Sequence, residues 1–187
     1  MTLATGFRLL FVGDIVGKPG REILRRALPR LVVREQIHLV VANVENAAGG
    51  FGITRETAEA ILACGVHVMT TGNHVWDKKE ALDYIDREPR LLRPLNYPPG
   101  APGRGSGGFS APDGTPVAVI NAMGRVHMPL VDDPFRALDQ ALAGLRAHTP
   151  LVVVDFHAEV TSEKIALARH LDGRASLVVG THTHVMT

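Results

Sequence analysis

Short apolar runs alternate with longer segments of helical spacing along most of this chain. The apolar runs predict strands at residues 7–12, 39–42, 66–69, 91–95, 117–120, 151–154 and 177–179. Apolar residues at helical spacing predict helices at residues 21–34, 54–64, 78–86, 134–147 and 162–171. Most of the strands are apolar at every position, which is typical of sheets covered on both faces. The alternation of strands and helices predicts an α/β layered sandwich with largely parallel sheets flanked by helices.

Glycine, proline and hydroxyl residues predict where these elements begin and end. The Gly- and Pro-containing residues 17–20 predict a loop, and Pro29 predicts a kink or break in the first helix. Thr54 and Thr161 are the expected N-caps of two later helices. Residues 98–114 are rich in Gly and Pro and predict a long surface loop, either a lid or a disordered connection.

Composition indicates an ordinary globular protein. The 187 residues, 45% hydrophobic and 21% charged, suffice for one core, so we expect a single domain over residues 1–187. A net charge of +1 gives no indication of a nucleic-acid complex. The lone Cys64, expected to be a small core residue, suits a reducing cytoplasm. The sequence shows neither a signal peptide nor an apolar run long enough to span a membrane.

Residues with metal-binding or acid–base side chains follow the carboxyl ends of the predicted strands. In parallel sheets these ends meet at one edge, where ligands bind. A mixture of carboxylate, amide and imidazole donors without thiolate suits iron, manganese or zinc. The set is too large for one ion and suits two divalent ions about 3.5–4 Å apart, sharing a carboxylate and a bridging hydroxide. Its members are Asp14, Glu45, Asn46, Asn73, His74, His157, His182 and His184.

Each of these residues taken alone has a less specific explanation. Asp14 could be a turn or helix-cap residue, and Glu45 with Asn46 is a weak signal. His182 and His184, one residue apart, would face the same side of a regular strand. The five other histidines are expected in the core edge or on the surface, with His127 the first to reconsider because it lies in a loop after a strand. The cluster as a whole is much more specific than any member.

Four longer motifs carry a family resemblance. They are Gly-Asp-Ile-Val-Gly-Lys-Pro-Gly (13–20), Asn-Val-Glu-Asn-Ala-Ala-Gly-Gly-Phe-Gly (43–52), Asp-Phe-His-Ala-Glu-Val-Thr-Ser-Glu-Lys (155–164) and Gly-Thr-His-Thr-His-Val (180–185). With Gly-Asn-His at 72–74, the chain resembles the calcineurin-like metallophosphoesterase superfamily, and more narrowly its YmdB-like bacterial subfamily. It departs from the wider superfamily where Val16 replaces a histidine and Glu45 replaces the bridging aspartate.

The resemblance implies a ligand set and an activity. One ion would be held by Asp14, Glu45, Asn46 and His184, and the other by Glu45, Asn73, His157 and His182. The resemblance also implies that His74 acts as general acid while a metal-bridging hydroxide attacks the phosphorus. The substrates implied are small cyclic nucleotides, the 2′,3′-cyclic ones and, as a further class, the 3′,5′-cyclic ones. Further strands normally follow the last motif in the superfamily, so we expect a C-terminally truncated sheet or an edge covered by a partner such as a second copy of the chain.

Two other functions stay open at this point. One is a non-catalytic regulatory protein that binds metal and nucleotide, and tight nucleotide binding without turnover would favour it. The other is a phosphomonoesterase acting on phosphoproteins, which a comparison of phosphoserine peptides with diesters would identify. No aromatic platform for a nucleobase is evident, since Phe51 and Trp76 could both pack in the core.

Overall fold

A computed structural model describes residues 6–187 and contains two β-sheets. The strands are β1 Leu9–Val12, β2 Leu39–Asn43, β3 Val68–Thr70, β4 Ser106–Ser110, β5 Pro116–Met123, β6 Val152–His157 and β7 Leu177–Thr181. The helices are α1 Gly17–Glu35, α2 Arg55–Ala63, α3 Ala81–Ile85, α4 Pro134–Leu145 and α5 Thr161–His170. Among the described residues, no helix combines the length and apolar character needed to cross a bilayer.

Parallel pairing dominates both sheets. The first sheet has the order β1-β2-β3, and both of its pairings are parallel. The second has the order β4-β5-β6-β7, in which β5, β6 and β7 are parallel and β4 is an antiparallel edge strand. The prediction of largely parallel sheets is therefore confirmed.

Three apolar clusters show how the layers are stacked. Alternate residues of β2, Leu39 and Val41, face Val119 of β5 and Val153 of β6, so the two sheets pack face to face. The opposite face of the first sheet packs against α1 and α2 through a cluster that includes Val40, Leu24, Leu28 and Ile61. The opposite face of the second sheet packs against α4 and α5 through a cluster that includes Ile120, Leu138, Leu142 and Leu167. The result is a four-layer α/β/β/α sandwich, and the apolar runs of the strands follow from their burial on both faces.

The first helix begins earlier than predicted and is not broken at Pro29. Residues 17–20, expected to be a loop, form the first turn of α1. Pro19 is tolerated there because the N–H groups of a first turn have no partner within the helix. The helix also continues through Pro29, since the buried Leu24 and Leu28 anchor it to the first sheet. Tertiary packing thus overrides the local tendency to break.

The region around the Gly/Pro-rich segment was predicted wrongly in two places. Residues 106–110, expected within a long loop, form β4, which pairs with β5 and places Phe109 against the core between the sheets. Residues 91–95, expected to be a strand, make only isolated bridges from Leu91 to Met69 and from Leu92 to Arg104. Strand formation here depends on the available pairing partner more than on composition.

Two helix caps were predicted, and one is wrong. Thr54 accepts a hydrogen bond from the backbone N–H of Thr57 and caps α2 as expected. Thr161 is instead the first residue of α5, and the N-cap position is held by Val160, which makes no side-chain cap.

Candidate metal centre

The carboxyl ends of five strands bring together all the residues that the sequence predicted for the site. Asp14 follows β1, Glu45 and Asn46 follow β2, and Asn73 and His74 follow β3 in the first sheet. His157 is the last residue of β6, and His182 and His184 follow β7 in the second sheet. The donors therefore come from both sheets and meet where the two carboxyl edges face each other.

Glu45 lies in the middle of this group with no exposed surface. Its Oε1 is 3.0 Å from His157 Nε2. His157 Nε2 is in turn 3.0 Å from Asn73 Oδ1 and 3.1 Å from His182 Nδ1. One ligand atom from each of Glu45, His157 and His182 lies within 4.8 Å of the others, which is close enough to bind one metal ion.

A second group of side chains contacts the same oxygen of Glu45. Asn46 Nδ2 is 3.2 Å from Glu45 Oε1 and 3.3 Å from His184 Nε2. His184 Nε2 is also 3.6 Å from Asp14 Oδ1, while Asp14 Oδ2 accepts the backbone N–H of His182 at 3.1 Å. Glu45 thus contacts both an Asp14–Asn46–His184 group and an Asn73–His157–His182 group.

A buried relay fixes the tautomer of His157. Thr181 donates its hydroxyl proton to Asp155 Oδ1 at 2.7 Å, so its oxygen accepts from His157 Nδ1 at 2.9 Å. Asp155 also accepts from the Thr70 hydroxyl at 2.5 Å and from the Asn43 amide at 3.0 Å. With the proton on Nδ1, the Nε2 of neutral His157 presents a lone pair to the site.

A carboxylate outside the cluster orients the second imidazole. His182 Nε2 is 2.9 Å from Glu159 Oε2, so this nitrogen donates and Nδ1 of the neutral ring carries the lone pair. The His182 Nδ1 and His157 Nε2 lone pairs then face each other across 3.1 Å. A histidine ligand whose other nitrogen donates to a carboxylate is the usual arrangement in metal sites.

The donor set fits bound cations. Two imidazole lone pairs, the Asn73 amide oxygen and the Glu45 carboxylate repel one another unless a positive charge lies between them. In the described part of the chain, Asp14 Oδ1 is buried without a hydrogen-bond partner. Buried polar atoms in proteins almost always have a partner, so this oxygen is explained by an ion that it would ligate. Oxygen and nitrogen donors together suit the transition metals that the sequence predicted.

The pKa values of two buried carboxyl groups, Glu45 and Asp155, are shifted in opposite directions. Burial opposes ionisation of Glu45, but without metal the hydrogen bond and charge of a protonated His157, together with the backbone N–H of His74, outweigh it and lower the pKa of Glu45. A bound cation would take the place of the proton on His157 Nε2 and leave that ring neutral. Burial raises the pKa of Asp155 to about 6, even though hydrogen bonds from Thr70 and Thr181 act in the opposite direction. Glu45 is therefore held ready as an anionic ligand, whereas Asp155 serves as a hydrogen-bond acceptor behind the site.

His74 belongs to the site but makes a different set of contacts. Its backbone N–H donates to Glu45 Oε2 at 3.0 Å, while its ring contacts Asp77 and Phe51. His74 Nδ1 lies 2.7 Å from Asp77 Oδ2, so Nε2 is the nitrogen available for proton transfer. The ring is partly exposed, which suits a group that meets substrate.

Unusual backbone conformations and one glycine allow the ligand side chains to lie close together. His182 and His184 have φ values of 96° and 57°, so they do not continue β7 as a regular strand. The condition under which both would face one side, a regular strand, is therefore not met: His182 lies against His157 and His184 near Asp14. Positive φ in residues other than glycine is costly and is found most often at functional sites. Gly72 is required for a steric reason, because a Cβ there would collide with the His157 ring and the Glu45 carboxylate.

Several residues with a clear role here were not predicted from the sequence. Asp155 and Glu159 were considered only as parts of a motif, Thr181 and Gly72 only as spacers, and Asp77 only as the start of a polar segment. Polar side chains that end a buried strand, as Asp155 and Thr181 do, are the signal that could have identified them. His127, the other histidine considered, lies exposed in a turn with φ of 60°.

Comparison with known proteins agrees with this geometry. The model of the YmdB-like protein family matches residues 10–187, which is nearly the whole chain. The chain belongs to the YmdB-like family. This family is part of the calcineurin-like metallophosphoesterases, and the chain is accordingly a metal-dependent phosphoesterase.

Relatives of this YmdB-like chain are longer than the chain itself. A 2′,3′-cyclic-nucleotide 2′-phosphodiesterase of Bacillus subtilis is 48% identical over 180 residues, covering 96% of this chain and 68% of that protein. A hypothetical protein of Thermus thermophilus has a similar structure, with a TM-score of 0.90, 45% identity, and coverage of 97% of this chain and 69% of that one. The structure of a phosphatase from Mycoplasma pneumoniae gives a TM-score of 0.90 and 34% identity, covering 99% and 67% of the two chains. These structures confirm the predicted fold class.

Proposed function

We propose that this chain is a dinuclear-metal phosphodiesterase that opens 2′,3′-cyclic nucleotides to nucleoside 3′-monophosphates. The observation that carries the proposal is that Glu45 Oε1 contacts members of two groups of ligand side chains, His157 at 3.0 Å and Asn46 at 3.2 Å. One shared carboxylate with ligands on both sides is the arrangement that holds a pair of divalent ions. The name of the Bacillus subtilis relative supports the choice of a 2′,3′-cyclic substrate and of the 2′ bond.

Each of the two ions would be held by its own set of side chains, with Glu45 shared. Asp14, Asn46 and His184 would hold one ion, Asn73, His157 and His182 the other, and Glu45 both. Such ions, when bound, polarise a phosphoryl oxygen and lower the pKa of water. The amide ligands hold positive charge without cancelling it, so the centre attracts a phosphodiester anion.

His74 provides the proton for the leaving oxygen. The attacking group is a hydroxide ion, formed from water that has lost one proton to solvent. As its oxygen bonds to phosphorus, the bond from phosphorus to O2′ breaks, and O2′ takes the proton from His74 Nε2, which regains it from solvent. Asp77, 2.7 Å from Nδ1, keeps the ring oriented. The hydrogen bond from the His74 backbone to Glu45 fixes the distance between this acid and the ligand group.

The test measures hydrolysis of 2′,3′-cAMP by the chain loaded with Mn²⁺ or Fe²⁺, with 3′-AMP and 2′-AMP separated chromatographically. We expect 3′-AMP as product and a loss of about 10²–10⁴-fold in kcat for His74→Gln, with metal content unchanged. Asp77→Asn should lose less, because Nε2 remains in place. Val33→Ala, at the far end of α1, is the matched control.

Comparison substrates separate the competing functions. 3′,5′-cAMP tests the wider cyclic-nucleotide activity, and a phosphoserine peptide tests a phosphomonoesterase. Wild-type rates in His74→Gln would contradict the role of this residue. Tight nucleotide binding without turnover under any metal would contradict the enzyme and favour a regulatory protein.

A further inference from the structure

One aromatic ring remains exposed beside the candidate centre. Phe51 has 58% of its surface exposed and belongs to none of the three apolar clusters formed by the described residues. Trp76, the other aromatic residue near the site in sequence, instead packs against the core of the first sheet and contacts Tyr97 with ring centroids 5.6 Å apart. More than half of the Phe51 side chain is therefore in contact with solvent, so it has surface free to contact a ligand at the centre.

The Phe51 ring contacts the proposed proton donor. Its centroid is 5.0 Å from that of His74, with the ring planes at 62°. His74 therefore lies between Asp77, which holds Nδ1, and Phe51, which contacts the ring from another side. Any group bound against Phe51 is a neighbour of the atom that His74 protonates.

The loop that carries Phe51 has a defined shape. The backbone N–H of Ala48 donates to the carbonyl of Gly52 at 2.9 Å and closes the loop at its base. Gly49, Gly50 and Gly52 all have positive φ, between 75° and 104°. These conformations favour glycine. Because glycine has no side chain, none of these three residues covers the Phe51 ring. The ring is thus presented at the site by a turn and is not part of a chain segment that collapses onto the core.

The chemistry of the substrate places a base close to His74. In a 2′,3′-cyclic nucleotide the base is attached to C1′, the carbon next to the one that carries O2′. The base nitrogen is therefore two bonds from C2′, the carbon that carries the oxygen to which His74 gives its proton. A flat apolar ring exposed next to His74 is the kind of surface on which a base stacks.

We propose that Phe51 is the platform on which the nucleobase of the substrate stacks. This inference rests on the proposed function and names its substrate class as nucleotides, in preference to cyclic phosphates without a base. Stacking tolerates every base because each has a π face, so purines should bind more tightly than pyrimidines only through their larger area. Phe51 is a binding residue and takes no part in the proton transfer.

The experiment compares two substrates that differ only in the base. These are 2′,3′-cAMP and methyl β-D-ribofuranoside 2′,3′-cyclic phosphate, in which a methoxy group replaces adenine. For Phe51→Ala we expect kcat/KM on 2′,3′-cAMP to fall by roughly 5–100-fold, mostly through KM. The rate on the methyl riboside should stay within about twofold of wild type, since no base is present to stack. Phe51→Trp should keep the preference for 2′,3′-cAMP, and Val33→Ala, another exposed apolar residue, is the control for surface truncation.

Two results would overturn the inference. If Phe51→Ala slows both substrates equally, the ring only positions His74; if it slows neither, the ring does not meet substrate. A binding measurement separates this inference from the proposed function. Calorimetry with 3′-AMP and with the corresponding methyl riboside 3′-phosphate needs no turnover. A chain that hydrolyses nothing yet loses its preference for 3′-AMP on Phe51→Ala would contradict the activity and support the platform, whereas equal binding of both ligands would contradict the platform.

Discussion

Replacing Thr181 by valine tests the buried relay behind the candidate centre. Valine has nearly the same shape as threonine but lacks the hydroxyl, which donates to Asp155 at 2.7 Å and accepts from His157 at 2.9 Å. The substitution leaves the His157 Nδ1–H without its acceptor and removes one of the three side-chain donors that Asp155 contacts. Both groups are fully buried, so water cannot replace the lost partner.

The expected cost follows from these contacts. A buried polar group left unpaired costs about 1–3 kcal/mol, and Asp155 keeps two other donors. We therefore expect Thr181→Val to lower the free energy of unfolding by about 2–4 kcal/mol. In a protein of this size that corresponds to a fall in Tm of about 5–15 °C. Loss of the fixed tautomer should also weaken metal affinity by about 10–100-fold.

Two assays separate the effects. Thermal and urea unfolding of the metal-free protein measures stability, and calorimetric titration with Mn²⁺ measures affinity. Thr181→Ser is the matched control, because it keeps the hydroxyl and removes one methyl group, worth about 1 kcal/mol. Nitrogen chemical shifts of His157 report the tautomer directly. The relay is refuted if valine and serine variants have the same Mn²⁺ affinity and the same proton position on the His157 ring.

Two further substitutions test other parts of the centre. Gly72→Ala should abolish Mn²⁺ binding, because the new Cβ would collide with His157. The control variant Gly13→Ala should bind Mn²⁺ normally, since a Cβ at that position meets no atom within 4 Å. Equal Mn²⁺ affinities of the two variants in calorimetric titration would show that the site can expand. Glu159→Ala should weaken Mn²⁺ binding by about 10–100-fold, because the His182 ring loses the carboxylate that orients it. Glu159→Gln should weaken it less, since the amide oxygen still accepts a hydrogen bond. An unchanged Mn²⁺ affinity in Glu159→Ala would show that this carboxylate has no role in the site.

Much of the fold was predictable because burial on both faces leaves a direct record in the sequence. The strand β2 is an apolar run whose predicted limits, 39–42, differ by one residue from Leu39–Asn43. The strand β6 was predicted at 151–154 from its apolar run but extends to His157 through the buried polar Asp155. The Gly-rich β4 leaves no such record, because it exists through pairing with β5. The helical start at Gly17 was missed for a related reason, since loop-forming residues at a first helical turn look like a loop when tertiary packing is unknown.

The candidate site was predictable as far as parallel topology gathers strand ends. Asp14, Glu45 and Asn73 come together because β1, β2 and β3 are neighbours with the same direction. The orientation of each ring could not be predicted, since it depends on hydrogen bonds from residues far away in sequence. Asp155, for example, contacts Thr70 from the other sheet. The exposure of Phe51 is likewise a property of a turn's shape and not of residue type.

The placement of donors on both sheets has a consequence for how much of this protein survives in a cell. Ions bound by residues of both sheets would hold the two sheets together, and a ligand present at about 100 times its Kd adds about 2.7 kcal/mol to stability. Without metal this stabilisation would be lost, and a marginally stable chain is then degraded by proteases. We therefore expect scarcity of the metal to reduce the abundance of this protein as well as its rate per molecule.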